Sequence, residues 1–280
     1  MKLVWQLGAV AVVAFAGGQV LGAVEGAWPA RCAAGVATAV LAVLVYGWVV
    51  RRTEHRPSLE VSRQGAAGGL VRGMLIGAVA FGLVITDIAG MGYYHVHGRG
   101  SVTGAVGLFG FMAAAAATEE LMFRGVLLRI VEGRFGTWTA LVAVSAVFGA
   151  QHLTNADATV WGAVAIAIEG GGMLGAAYIA TRKLWVPIGL HFAWNFAESG
   201  VFSTEASGNG ASKGLLDSTT SSGHALVTGG SFGPEGSLYS VVFCSLVTLG
   251  FLLLARRRGH VLPPRRRVAA AVPAAATVAR

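Results

Sequence analysis

Three short runs set ionisable residues inside stretches that are otherwise apolar. Thr118-Glu119-Glu120 ends an Ala-rich run and is followed by Leu121, Met122, Phe123 and Arg124; Phe148-Gly149-Ala150-Gln151-His152 comes next, and His191 with Asn195 closes the series. Carboxylates and imidazoles held together in apolar surroundings can exchange protons with a bound water. Two histidines and a glutamate are also a set that can hold Zn²⁺ with one position left for water. Inside a membrane each ionisable group costs on the order of 2.5–3.5 kcal/mol, so each needs a partner or a function. A lone His or Asn is most often a satisfied bridge between helices. Two Glu, two His, an Arg and an Asn on three helices accumulate more cost than bridging explains.

Spacing sorts these residues. Glu120 and Arg124 stand four apart with the acid N-terminal, the favourable order for an ion pair on a helix. Glu119 lies about 100° around the helix, so it is left to face something else in the bundle. A breaker at Gly133 to Gly136 separates the first two runs. Glu119 lies 16 residues before Phe135 and His152 17 after it, so both sit roughly 24–26 Å along antiparallel helices from one turn and are expected to be level. His191 and Asn195 share one helix face. His191 is only about 12 Å from the turn at Arg182 and Lys183, so the heights match if the turn near Arg134 projects further out.

The elements that must hold these residues are membrane spans. The 280 residues are 55% hydrophobic and 12% charged, with a mean hydropathy of +0.66, far from the composition of a water-soluble domain. Eight apolar runs are long enough to cross a hydrocarbon core: roughly 3–24, 30–50, 67–93, 102–123, 137–156, 158–181, 184–202 and 237–255. The first is read as a span rather than a cleaved signal, because it is longer than an h-region and a second apolar run follows almost at once. The expected fold class is all-α, a polytopic membrane helix bundle.

Eight spans put both termini on one side, which then receives 18 of the 21 basic residues; Arg31, Arg99 and Lys213 fall on the other. The positive-inside rule therefore predicts cytosolic termini. The net charge of +8 gives no nucleic-acid signature, since the basic residues lie between spans, with Arg256 to Arg258 and Arg265 to Arg267 as juxtamembrane anchors. Cys32 and Cys244 fall in apolar runs and read as small buried hydrophobes. The Ser-, Thr- and Gly-rich segment 203–236 is expected to be an external loop, and the Ala-rich tail after Pro263-Pro264 to be disordered.

E-E-x-x-x-R, F-x-x-x-H and H-x-x-x-N on successive helices resemble the CPBP family, which includes the CAAX prenyl endopeptidases and the bacterial Abi proteins. Glu119, Glu120, Arg124, Phe148, His152, His191 and Asn195 fill every position of that pattern. The resemblance covers roughly 102–202, giving an expected division into a three-span region 1–101, a catalytic core 102–202, the loop 203–236, and a last span with a basic tail, 237–280. It implies an internal cavity, open to the cytosol in the prenyl endopeptidases, and hydrolysis of a peptide bond in a membrane-associated or lipidated protein or peptide. It implies that Glu119 with His152 activates water, that His191 and Asn195 stabilise the oxyanion, and that Glu120 and Arg124 belong to the same machinery. Many relatives are described as metalloproteases, which makes Glu119, His152 and His191 a candidate catalytic zinc set; a glutamate-type peptidase needs no metal. The Gly-, Ala-, Val- and Arg-rich composition looks like that of a high-GC bacterium, so the expected setting is a multi-pass protein of a bacterial plasma membrane.

Two other classes fit the same residues. Buried Glu and His form proton relays in carriers, and Glu169 before Gly170, Gly171 and Gly172 would then mark a broken helix at a binding site. A non-catalytic scaffold or immunity protein would use the cluster for packing. Glu169 is expected to partner a buried polar group or the water site. Asp87 and Glu198 are expected near water at the external ends of their spans, Glu235 outside the bilayer with no chemistry, and His95 and His97 in a solvated loop.

Overall fold

A computed structural model describes residues 1–221 and 223–264; the Ala-rich tail and the block Arg265 to Arg267 lie outside the described residues. The chain is a helical bundle with one small sheet. In order it forms α1 (Lys2–Ala23), α2 (Trp28–Glu54), α3 (Ala66–Gly90), β1 (Tyr94–Arg99), α4 (Val102–Phe135), α5 (Thr137–Gln151), α6 (Val160–Thr181), α7 (Trp185–Asn195), β2 (Leu216–Thr220) and α8 (Leu238–Arg257). Six of these, α1, α2, α3, α4, α6 and α8, are long and apolar enough to cross a membrane. The predicted spans at 137–156 and 184–202 correspond to shorter pieces: α5 has 15 residues, and α7 has 11 with a six-residue π-helical extension, Phe196–Val201.

The fourth span outruns its predicted end at 123 and continues to Phe135. Basic residues there read as a membrane boundary, but Arg124 is neutralised inside the bundle by Glu120, and Arg129 donates to the Glu54 carboxylate at 2.8 and 3.0 Å. The break comes at Gly136, whose φ of 83° lies in the left-handed region that favours glycine. That turn sends α5 back antiparallel to α4, as the sequence spacing predicts.

Small residues bring backbones together. A Cβ at Gly77 would sit 2.3 Å from the Leu190 carbonyl oxygen, and one at Gly189 2.2 Å from that of Leu70, so α3 and α7 pack backbone to backbone. This fixes α7 and the residues it carries. Glu54 also accepts from Arg56 and Gln6, tying the start of α1 to the ends of α2 and α4. On the opposite face β1 and β2 pair antiparallel, Tyr94 against Thr220 and Arg99 against Leu216. His95 and His97 therefore lie on a strand rather than in a loop, and His97 Nε2 is 2.9 Å from Thr219 Oγ1.

The described residues of the segment 203–236 pack back onto the bundle as a cover. Asn155 donates to the Ser207 carbonyl at 2.6 Å, Gly208 exchanges backbone bonds with Asp157 and Phe232, and Trp161 donates to the Gly236 carbonyl at 2.8 Å. Phe232 is buried against Gly162.

Candidate active site

All six predicted site residues lie on α4, on α7 or at the end of α5, and a π-helical stretch adjoins each helix's contribution or faces it. Leu121–Leu128 follows Glu119 and Glu120, Ala167–Met173 contains Glu169, and Phe196–Val201 follows Asn195. A π turn widens the helix and leaves carbonyls free of their usual α-helical partner, which is why such turns recur at functional sites. Here the carbonyl of Gly170 accepts from Arg124 Nη2. Arg124 is thereby anchored from α6.

The other side of the Arg124 guanidinium donates to Glu120 Oε1 at 2.7 Å, the ion pair that the i, i+4 spacing predicts. Glu120 is fully buried and has a second partner that spacing could not show: His191 Nδ1 lies 2.9 Å from the same Oε1. Three helices are thus linked by one chain of polar contacts running from the Gly170 carbonyl through Arg124 and Glu120 to His191. A buried arginine costs much less with this many acceptors than alone.

Phe148 explains the first position of its motif. Its carbonyl sits 2.8 Å from His152 Nδ1. Since a carbonyl only accepts, Nδ1 carries the proton and a neutral His152 keeps its lone pair on Nε2. The Phe148 ring lies 4.4 Å under the Arg124 guanidinium, with its centroid 5.2 Å from the His152 ring and 6.3 Å from that of His191. One aromatic side chain therefore spaces three of the polar groups.

A cavity of about 810 Å³ runs into the bundle from the face that carries β1, β2 and the cover. Leu108, Met112, Ala115 and Glu119 form a ladder down one wall, with His152 and Asn195 opposite. Beneath lies a chamber of about 40 Å³ lined by Glu119, His152, His191, Asn195 and Glu169 among others. Glu119 and His152 thus meet the same spaces, as the height count predicts, and His191 and Asn195 face the chamber together. One Glu119 oxygen, Oε2, is buried without a hydrogen-bond partner among the described residues. Glu120, its neighbour, has both Arg124 and His191 on one oxygen.

Two carboxylates lie deeper than their sequence positions predict. Glu235, expected outside the bilayer without a role, is buried, lines the chamber, and accepts from Trp194 Nε1 at 2.8 Å and from Ser207 Oγ. Glu198 is not near water but fully buried, and neither its oxygens nor those of Glu169 have a partner among the described residues. The cover carries Glu235 back into the bundle, which a linear count of spans cannot register. Among the described residues no three His, Cys, Asp or Glu side chains group as a metal-binding set. Glu119, His152 and His191 share a chamber without closing on one point, and Glu120 already engages His191 Nδ1.

Neither curated proteins nor solved structures gave a match to this chain. A family model did: residues 100–197 match the one described as Rce1-like, type II CAAX prenyl endopeptidase Rce1-like. The matched stretch takes in α4, α5, α6 and α7, ending just past Asn195, and so contains every residue of the three motifs. Over that stretch, the match supports reading the chain as an intramembrane peptidase of the CAAX/CPBP type.

Proposed function

We propose that this protein cuts a peptide bond in a membrane-associated or lipidated substrate by a glutamate-type mechanism. The observation that carries the reading is the convergence of Glu119, His152, His191 and Asn195 on one chamber at the foot of a cavity. A water held between the Glu119 carboxylate and His152 Nε2 loses a proton to this pair as it attacks the scissile carbonyl. The carboxamide of Asn195 donates to the oxyanion that forms. His191 joins it through Nε2–H. Because Nδ1–H is committed to Glu120, a proton on Nε2 makes the ring a cation, and the buried Glu120 carboxylate offsets that charge. Collapse of the tetrahedral intermediate passes a proton from the Glu119/His152 pair to the departing amine. Arg124 and Phe148 position these groups and touch no substrate.

We also place both termini in the cytosol on the charge asymmetry, which supports an opening of the cavity on the opposite side of a bacterial plasma membrane. That departs from the cytosolic opening the resemblance implies. The test is a proteomic comparison of membranes carrying the wild-type protein or a Glu119→Ala variant. The reading expects peptides that lose a terminal segment with the wild type alone. Identical peptide termini in both would count against it.

A further inference from the structure

The basic residues of this chain are distributed so unevenly that the exceptions carry information. Among the described residues the basic side chains on the face where the cavity opens are Arg31, Arg99 and Lys213, and two of these, Arg31 and Lys213, line it. Arg31 is built into the wall rather than left in solvent. Its stem packs at Gly107, with Cδ 3.5 Å from where a Cβ would stand, and its guanidinium lies 5.2 Å over the Phe111 ring. Its Nε is buried and has no hydrogen-bond partner among the described residues. The acid at this mouth, Glu25, approaches Nη1 only to 4.0 Å with a side chain that is 74% exposed. A buried donor without an acceptor is costly, and a guanidinium is best satisfied by a planar carboxylate.

We infer that Arg31 and Lys213 form an anion subsite that takes a carboxylate of the substrate, an inference that rests on the peptidase reading. Its distance from the chemistry follows from α4. Arg31 stands level with Gly107 and the Lys213 carbonyl level with Gly104, 12 and 15 residues before Glu119. At 1.5 Å per residue those levels are about 18 and 22 Å above the Glu119 carboxylate. An extended peptide covers about 3.3 Å per residue, so the recognised carboxylate lies about five or six residues from the bond that is cut. The reach of the arginine side chain shortens that by one or two. A chain-terminal carboxylate and an acidic side chain at that distance present the same chemistry.

The test uses Glu119→Gln protein in zwitterionic nanodiscs, which keeps the site but holds peptides uncut. The probes are N-acylated fluorescent peptides in three forms: a free C-terminal carboxylate about four residues past the target bond, the neutral C-terminal amide of the same length, and the amide with one Asp about four residues from the target bond. Fluorescence anisotropy is expected to show at least tenfold tighter binding of one or both acidic forms over the neutral amide. Which form gains identifies the source of the carboxylate. Arg31→Gln is expected to erase the preference, Arg31→Lys to keep part of it, and Lys213→Gln, on the exposed cover, to reduce it several-fold. Equal retention of all three peptides, including no retention of any, overturns the subsite, as does full preference in both Arg31→Gln and Lys213→Gln. A preference that persists while the wild type leaves every peptide uncut would sink the peptidase reading and leave the anion subsite standing.

Discussion

Glu120 and His191, 71 positions apart in the chain, are joined at 2.9 Å between one carboxylate oxygen and Nδ1. That bond sets the ring orientation of His191 and directs Nε2 away from Glu120, as a buried carboxylate does for an imidazole it holds. It also gives Glu120 a task separate from that of Glu119, its neighbour in sequence.

Breaking this network from one side strands a charge. Glu120→Leu leaves Arg124 buried with only backbone acceptors, and the expected loss is about 3–5 kcal/mol. Replacing both, as Glu120→Leu with Arg124→Leu, is expected to recover a large part of that stability while cleavage stays absent. Thermal unfolding in detergent reads the first, and peptide turnover the second. A double variant as unstable as the single one would show that the pair is not the unit described.

The cover should loosen when its inward anchor is removed. Glu235 accepts from Trp194 and Ser207, so Glu235→Ala leaves the Trp194 indole N–H unsatisfied and frees the segment 203–236. Added protease is expected to nick that segment several-fold faster than in the wild type. Unchanged nicking would mean that the backbone bonds to Asn155, Asp157 and Trp161 suffice.

Helix approach at Gly77 leaves no room for a side chain. Gly77→Leu is expected to force α3 and α7 apart and to lower the yield of monodisperse protein sharply, whereas Gly82→Leu, where a Cβ meets nothing within 4 Å, is expected to behave as wild type. Size-exclusion profiles of the two decide it.

The direction of the cavity is open to labelling. In a background with Cys32 and Cys244 replaced by Ala, a cysteine at Ser212 is expected to react with an impermeant maleimide on intact cells. One at Arg52 is expected to react only after permeabilisation. The reverse pattern would turn the mouth to the cytosol.

What the sequence shows of this protein is governed by what is local. Helix existence follows from apolar length, the turn at Gly136 from a breaker, the Glu120–Arg124 pair from i, i+4 spacing, and the shared depth of Glu119 and His152 from counting residues to that turn. The contact of Glu120 with His191 joins two helices distant in sequence, and no periodicity reports it. The π stretches are equally silent, because their residues read as ordinary helix. Glu235 escapes the sequence for a different reason: a polar, Gly-rich segment looks solvated, and its bonds to the α5–α6 connection, to Trp161 on α6 and to Trp194 on α7 return it to the chamber. The end of α4 is hidden because Arg124 and Arg129 break the apolar run, although each has an acid inside the fold.

The most direct test of the central claim is turnover of a membrane-anchored peptide by purified protein in nanodiscs, comparing wild type with Glu119→Gln and His152→Ala. A base of this kind contributes about 10²–10⁴-fold to the rate. The account predicts that each variant folds as the wild type does and loses at least 100-fold in kcat. Cleavage at an undiminished rate by either variant would contradict it.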